Sequence, residues 1–293
     1  MEKRLLKSFG DYKADAASWI TLASGEYYPD ILPYACELYK PVLVLFGQLL
    51  KSSESSEALF RRICEVNEGW MRVQLARVFR KYVSPETPVE MLRKKKMVDA
   101  ICKNFGRKFR AIAHVQWAFA SRPNPDEALC AILWEYKDRG KKGYDLTEKL
   151  FSILKRHLPN IKIEGPERAG KDILLGNVFK AYPNPKRPVD FVLYEKNNKI
   201  PLAIGLARYD SDRGGGQEDD RTGGYFNFAK EILAHTRRLR LATKVVFVND
   251  GPGLLLGSMW DDYAKLEKSG KGSIRVVTLR MIPERLILDW LKS

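Results

Sequence analysis

The chain has 293 residues, enough to bury the core of one large domain or two ordinary ones, and 45% of them are hydrophobic, which excludes wholesale disorder. Fifty-one Lys and Arg against 36 Asp and Glu leave a net charge of +15, which favours polyanionic partners, nucleic acid first among them. The densest apolar run, Pro41 to Leu50, is too short to cross a bilayer, and the N-terminus has no long apolar stretch, so a cytoplasmic protein without leader or membrane partner is expected.

In chain order, residues 1–143 read as helical. Leu38, Val42, Leu45, Phe46, Leu49 and Leu50 recur at helical spacing, as do Met71, Leu75, Val78 and Phe79, and again Ile101, Phe105, Phe109 and Ile112. Pro85, Pro88, Pro123 and Pro125 punctuate them. A basic cluster runs from Arg93 through Lys96 and on to Lys103, Arg107, Lys108 and Arg110. On a helix some of these share a face that can follow phosphates, although a solvated surface is the ordinary fate of such residues. This half is expected to clamp DNA or to build a dimer. Cys36, Cys64, Cys102 and Cys130 form no CxxC, and His114, His157 and His235 stand singly, so reduced thiols are expected and no zinc site.

The rhythm changes at Tyr144. A helix is expected over Asp145–Leu158, strands over Arg187–Tyr194 and Ile200–Tyr209, and a helix over Tyr225–Leu241. A strand over Thr243–Val248, a helix over Leu254–Lys268, a strand over Ser273–Leu279 and a final helix over Pro283–Leu291 follow. The segment between Leu158 and Arg187 is compatible with a further strand. Strands alternating with helices after a β-meander imply an α/β fold in which 144–293 forms a mixed central sheet covered on both faces. No Gly-x-x-x-x-Gly-Lys-Ser/Thr is present, so no nucleotide cofactor is expected.

The carboxylates carry the chemistry. Asp190 sits inside an otherwise apolar strand, where a charge is costly unless paired or metal-bound. Asp210 and Asp212 stand two apart at the end of the next strand, so they point to one side if the chain stays extended. A hairpin could bring Asp190 to them, and such a trio suits Mg²⁺. Glu218 follows in Gln217-Glu218-Asp219-Asp220-Arg221; capping or a surface role is its alternative. Arg208, Arg213, Gln217 and Arg221 are candidate base readers, since Arg reads guanine and Gln reads adenine. Lys186 and Arg187 are placed to meet phosphates.

A helix, then Pro188-Val189-Asp190 on a strand, a second charged strand, a helix and a further strand resembles the PD-(D/E)XK nuclease superfamily. The Arg-Tyr-Asp-Ser-Asp-Arg segment ending at Arg213 and the strand ending Val248-Asn249-Asp250-Gly251 resemble type II restriction endonucleases. The resemblance covers roughly residues 145–280. It implies a restriction-endonuclease-like fold, Mg²⁺-dependent site-specific cleavage of double-stranded DNA, and a homodimer. The family's second strand carries acid-x-lysine. Here the corresponding Gly205 and Ala207 are empty, and Asp210-Ser211-Asp212 offers acid-x-acid further on. Glu218 or Glu167 are other places for the acid. A DNA-binding protein without catalysis and a structure-specific repair nuclease are the rival readings; the missing lysine favours the first.

Overall fold

The structure, a computed structural model, describes residues 7–23, 25–87, 92, 94–137, 141–168, 170–211 and 217–293, without the side chains of 141, 142, 144 and 217–221. Residues 25–139 form one compact unit; residues 1–24 and 140–293 together form the other. The second junction lies close to the change of rhythm at Tyr144. Residues 7–23, however, pack with the α/β unit and not with the helices. Phe9, Tyr12, Ala16 and Ile20 recur at helical spacing and are buried in that unit's core. Phe9 stacks on Trp260 with ring centroids 4.4 Å apart.

The unit of residues 25–139 contains α1 (Leu32–Lys51), α2 (Ser56–Glu65), α3 (Gly69–Tyr82), α4 (Val98–Phe105), α5 (Ile112–Ala120) and α6 (Glu127–Glu135). Ser55 caps α2 by accepting the Ala58 N–H at 3.0 Å, and Asp126 caps α6 by accepting from Ala128 and Leu129. Tyr39, Phe46, Phe60 and Phe79 lie at its centre. Burying each such side chain contributes about 1.5–3 kcal/mol before ordering costs.

In the other unit, α7 (Lys141–His157) leads into β1 (Ile161–Glu164), β2 (Ile173–Leu174), β3 (Pro188–Val189), β4 (Phe191–Glu195) and β5 (Pro201–Tyr209). Then come α8 (Gln217–Arg238), β6 (Lys244–Asp250), α9 (Met259–Ser269) and β7 (Ile274–Val277). Five strands form a mixed sheet in the order β1-β4-β5-β6-β7, and β2 and β3 form a separate antiparallel pair. β1/β4 and β4/β5 are antiparallel; β5/β6 and β6/β7 are parallel. Every residue of β6 is buried, as its continuous apolar run requires of a central parallel strand.

The sheet's two faces receive different helices. Gly205 and its partner Phe191 face the side of α7, whose Phe151 lies beside Gly165 and Phe191. Leu206 and its partner Phe247 face the side of α8, whose Tyr225 stacks on Phe247 at 4.7 Å. Four element expectations need correction. The helix expected from Leu254 begins only at Met259, after a separate turn at Pro252–Leu255. The strand over Arg187–Tyr194 is broken at Asp190, which lies in a bend between β3 and β4. α8 begins at Gln217, not Tyr225, so Gly223 and Gly224 lie inside a helix and not in a polar loop. The final helix is two short ones, Ile282–Arg285 and Leu288–Lys292, because Ile287 turns extended.

Candidate active site

Asp190 is held where the short β2/β3 ladder gives way to the main sheet. Its N–H donates to the Gly205 carbonyl at 3.1 Å, and its Oδ2 accepts the Ala207 N–H at 2.7 Å. The carboxylate is therefore clamped onto the backbone of β5. Burial pushes its proton affinity above the usual carboxylate range; the Ala207 N–H works against this and the charge of Asp172 adds to it. A carboxyl so placed is costly as a bare anion.

Asp172 explains part of that cost. Ile173 pairs with Val189, so one step further out Asp172 faces Asp190 across the ladder. Like charges directly opposite each other on antiparallel chains repel. Asp172 is exposed, so a cation has access to the pair. Sequence reasoning misses it, because Gly170-Lys171-Asp172 reads as a turn. The one available signal is that Asp172 stands within the segment compatible with an additional strand.

The resemblance would place an acid at Gly205 and a lysine at Ala207, and the surroundings of Gly205 leave no room for the acid. A Cβ on Gly205 would lie 1.9 Å from Cζ of Phe191, so the aromatic ring already fills the direction an acid would take. Ala207 offers only a methyl, and its N–H is engaged by Asp190. On the opposite side of β5, Leu206 and Arg208 follow one another, and Arg208 supplies a cation beyond the residue that faces Asp190.

Asp210 lies further along the chain than the stretch that holds Asp190, and both carboxylates act on Tyr225. The register places Leu206 opposite Asp190, and Asp210 stands four residues after Leu206, roughly 13 Å along the chain. Asp210 is buried, and its Oδ1 accepts from Arg208 Nε at 3.0 Å. Its N–H donates to the Asp250 carbonyl at 2.8 Å, and its carbonyl accepts the Gly253 N–H at 2.9 Å. Tyr225 lies near this array. Burial lifts its hydroxyl to about 12, the Arg208 guanidinium acts against that, and the carboxylates of Asp210 and Asp190 add to it. Asp250 is a staple: its carboxylate accepts the N–H groups of Thr21, Gly251 and Leu279 at 2.6, 2.7 and 3.0 Å.

Of the remaining candidates, Lys186 is exposed. Arg187 forms an ion pair with Glu231 of α8 and lies over the Phe228 ring at 5.0 Å, so it ties the Asp190 segment to that helix. Gln217, Glu218 and Arg221 fall in the first turns of α8 and not in a loop; their side chains lie outside the described ones. Asp212 and Arg213 lie outside the described residues. Glu167 pairs with Lys155 and stands two residues beyond Gly165, which lies against the Asp190 backbone. Among the described residues, no group of three or more His, Cys, Asp or Glu is gathered as for a metal.

No protein-family model, no curated protein and no solved structure matches this chain. Among the described residues, no helix is long and apolar enough to cross a membrane.

Proposed function

We propose that this chain is a Mg²⁺-dependent endonuclease that cleaves double-stranded DNA at specific sites, of the restriction type, working as a cytoplasmic homodimer. The observation that carries the reading is Asp190: a partly buried carboxylate, clamped on β5 and opposed by Asp172, in a chain of net charge +15. The order of helix α7, the antiparallel strands β1, β4 and β5, helix α8 and the parallel strand β6 supports it as well.

The donor set fits the ion. Mg²⁺ is commonly bound by one or two carboxylates, with water and substrate phosphate completing its shell. Asp172 and Asp190 provide two, and Asp212 and Glu218 are further candidates. When bound there, the ion would supply polarisation of the scissile phosphate and charge neutralisation at the leaving oxygen. The chain's own residues have separate tasks. The Ala207 N–H fixes the direction of the Asp190 carboxylate. Arg208 places a positive charge along β5, and Lys186 offers an exposed cation to a phosphate. Arg187, paired with Glu231, positions the Asp190 segment. Arg213, Gln217 and Arg221 remain the proposed base readers. Asp210 is assigned to holding Arg208.

One observation favours a second reading, a DNA-binding protein without catalysis. Phe191 fills the space that an acid at position 205 would occupy. The experiment that separates the readings incubates the full-length protein with plasmid and phage DNA, with Mg²⁺ and with EDTA. Discrete Mg²⁺-dependent fragments are expected, lost in Asp190→Ala and strongly reduced in Asp172→Asn, with duplex binding retained in both. A smear would reassign the protein as a structure-specific or non-specific nuclease. Binding without cutting across Mg²⁺, Mn²⁺ and Co²⁺ would sink the enzymatic reading.

A further inference from the structure

A second place in the α/β unit has the chemistry of a ligand site. A cleft of about 810 Å³ opens between the segment at Lys7, helix α9, the end of β7 and the C-terminal helix. Lys7, Lys265, Lys268, Arg275 and Arg285 line it, together with Trp290. Its two carboxylates are already engaged. Glu267 holds Arg285 through both oxygens at 2.7 and 2.8 Å and also accepts the Phe9 and Val276 N–H groups. Asp261 holds Lys13 at 2.7 Å. Lys265 is answered by Asp262 at 2.9 Å. Lys7, Lys268 and Arg275 form no close ion pair among the described residues, although Glu267 acts on Arg275 and Lys7 acts on Asp11.

Arg275 is the informative member. It is more than nine-tenths buried, and its Nη1, shielded from solvent, has no hydrogen-bond partner among the described residues. Its guanidinium stacks over Trp290 at 4.3 Å. The indole Nε1 is spent on the Gly272 carbonyl at 2.8 Å, so the ring presents an apolar wall. Burial draws the guanidinium's proton affinity down to about 10, and Arg285 adds to this. A buried cation beside a second cation is costly, and an anion seated in the cleft would offset that charge.

We infer that this cleft binds a phosphate monoester of nucleotide size. Its volume falls in the range of small-molecule sites, roughly 300–1,000 Å³. Three cations without a close ion pair favour a ligand of more than one negative charge, and a phosphate monoester carries about −1.5 to −2 at neutral pH. Arg275 donates to the phosphate, Lys268 and Lys7 close over it from the rim, and the flat remainder of the ligand lies toward Trp290. The site uses none of the residues around Asp190 and stands whether or not DNA is cut.

The test titrates the full-length protein with inorganic phosphate, adenosine 5′-monophosphate and adenosine, following tryptophan fluorescence and heat at constant ionic strength in chloride. Saturable binding of phosphate and of the monophosphate is expected, with none for adenosine. Arg275→Gln and Lys268→Gln are each expected to weaken it about tenfold, as for loss of one charge-assisted hydrogen bond, while Asp190→Ala leaves it unchanged. Should Arg275→Gln fail to fold, the exposed Lys268→Gln and Lys7→Gln carry the test. Absence of saturation, or equal affinity in the variants that fold, overturns the inference. So does a response to a duplex oligonucleotide alone, which would make the cleft a DNA-backbone surface.

Discussion

At the scale of single residues, the contest between Gly205 and Phe191 decides the character of the site. The ring occupies the space above Gly205, so even a methyl there forces a shift. Gly205→Ala is expected to lose about 1–3 kcal/mol, the usual cost of overpacking, read from urea unfolding. Combined with Phe191→Leu, the loss should be less than the sum, because the second change vacates the contested space. Asp190 gives a second prediction. Its folded-state proton affinity is raised, so the folded protein holds that proton more tightly than the unfolded chain does. Stability from this group is therefore lost as pH rises through the window above the ordinary carboxylate value. Asp190→Asn is expected to raise the melting temperature at neutral pH and to change it little in acid. Equal shifts at both pH values would remove the burial argument. Asp190 is legible in the sequence because a carboxylate inside an apolar run stands out. Asp172 is not, because its relation to Asp190 exists only through the β2/β3 register.

At the scale of elements, the strands and most helices can be read from periodicity, since β6 and α7 carry unbroken apolar patterns. The errors fall where backbone geometry and local propensity part. Gly223 and Gly224 suggest a loop, yet α8 runs through them. A Cβ added at either would meet nothing within 4 Å. Gly223→Ala and Gly224→Ala are therefore each expected to stabilise the protein by about 0.4–1 kcal/mol, measured by chemical denaturation. A loss of stability at both positions would argue that this stretch is not helical. The break at Asp190 is equally hidden, because Pro188 to Tyr194 reads as one strand. It is split by the N–H of Ala207 and the carbonyl of Gly205, which draw Asp190 onto β5.

At the scale of the molecule, charge is unevenly spread. Between residues 94 and 110 stand seven cations and one carboxylate, Asp99. Asp99 is held by Arg61 at 2.6 Å. Lys94, Lys95 and Lys96 are exposed before α4, and Arg107, Lys108 and Arg110 are exposed beyond it. A helix of eight residues sets the two clusters about 12 Å apart, comparable to the roughly 12 Å width of the major groove. Replacing Lys94, Lys95 and Lys96 by Gln is expected to reduce the salt dependence of duplex binding. The slope of log affinity on log salt should fall by up to about 3, near one for each phosphate that is no longer neutralised, in anisotropy titrations with a labelled duplex. An unchanged slope would leave these lysines as plain surface. The charge itself is plain in the sequence, as is the junction near residue 140. The allegiance of residues 7–23 is not, because their hydrogen-bond partners in the α/β unit lie 186 or more positions away.

That allegiance bears on biosynthesis. The helical unit is continuous in the chain, so it can close as it leaves the ribosome. The α/β unit is interrupted by it and cannot. Phe9, whose carbonyl accepts from Trp260, and Trp19, whose carbonyl accepts from Thr278, are made first and meet their partners among the last. At about 5–20 residues per second, the interval is roughly 10–60 s. Throughout it the segment from Phe9 to Ile20 carries an uncovered apolar stripe, the natural target of a holding chaperone, and a message that ends soon after residue 140 would yield a finished helical unit preceded by a segment that has nothing to bury itself against.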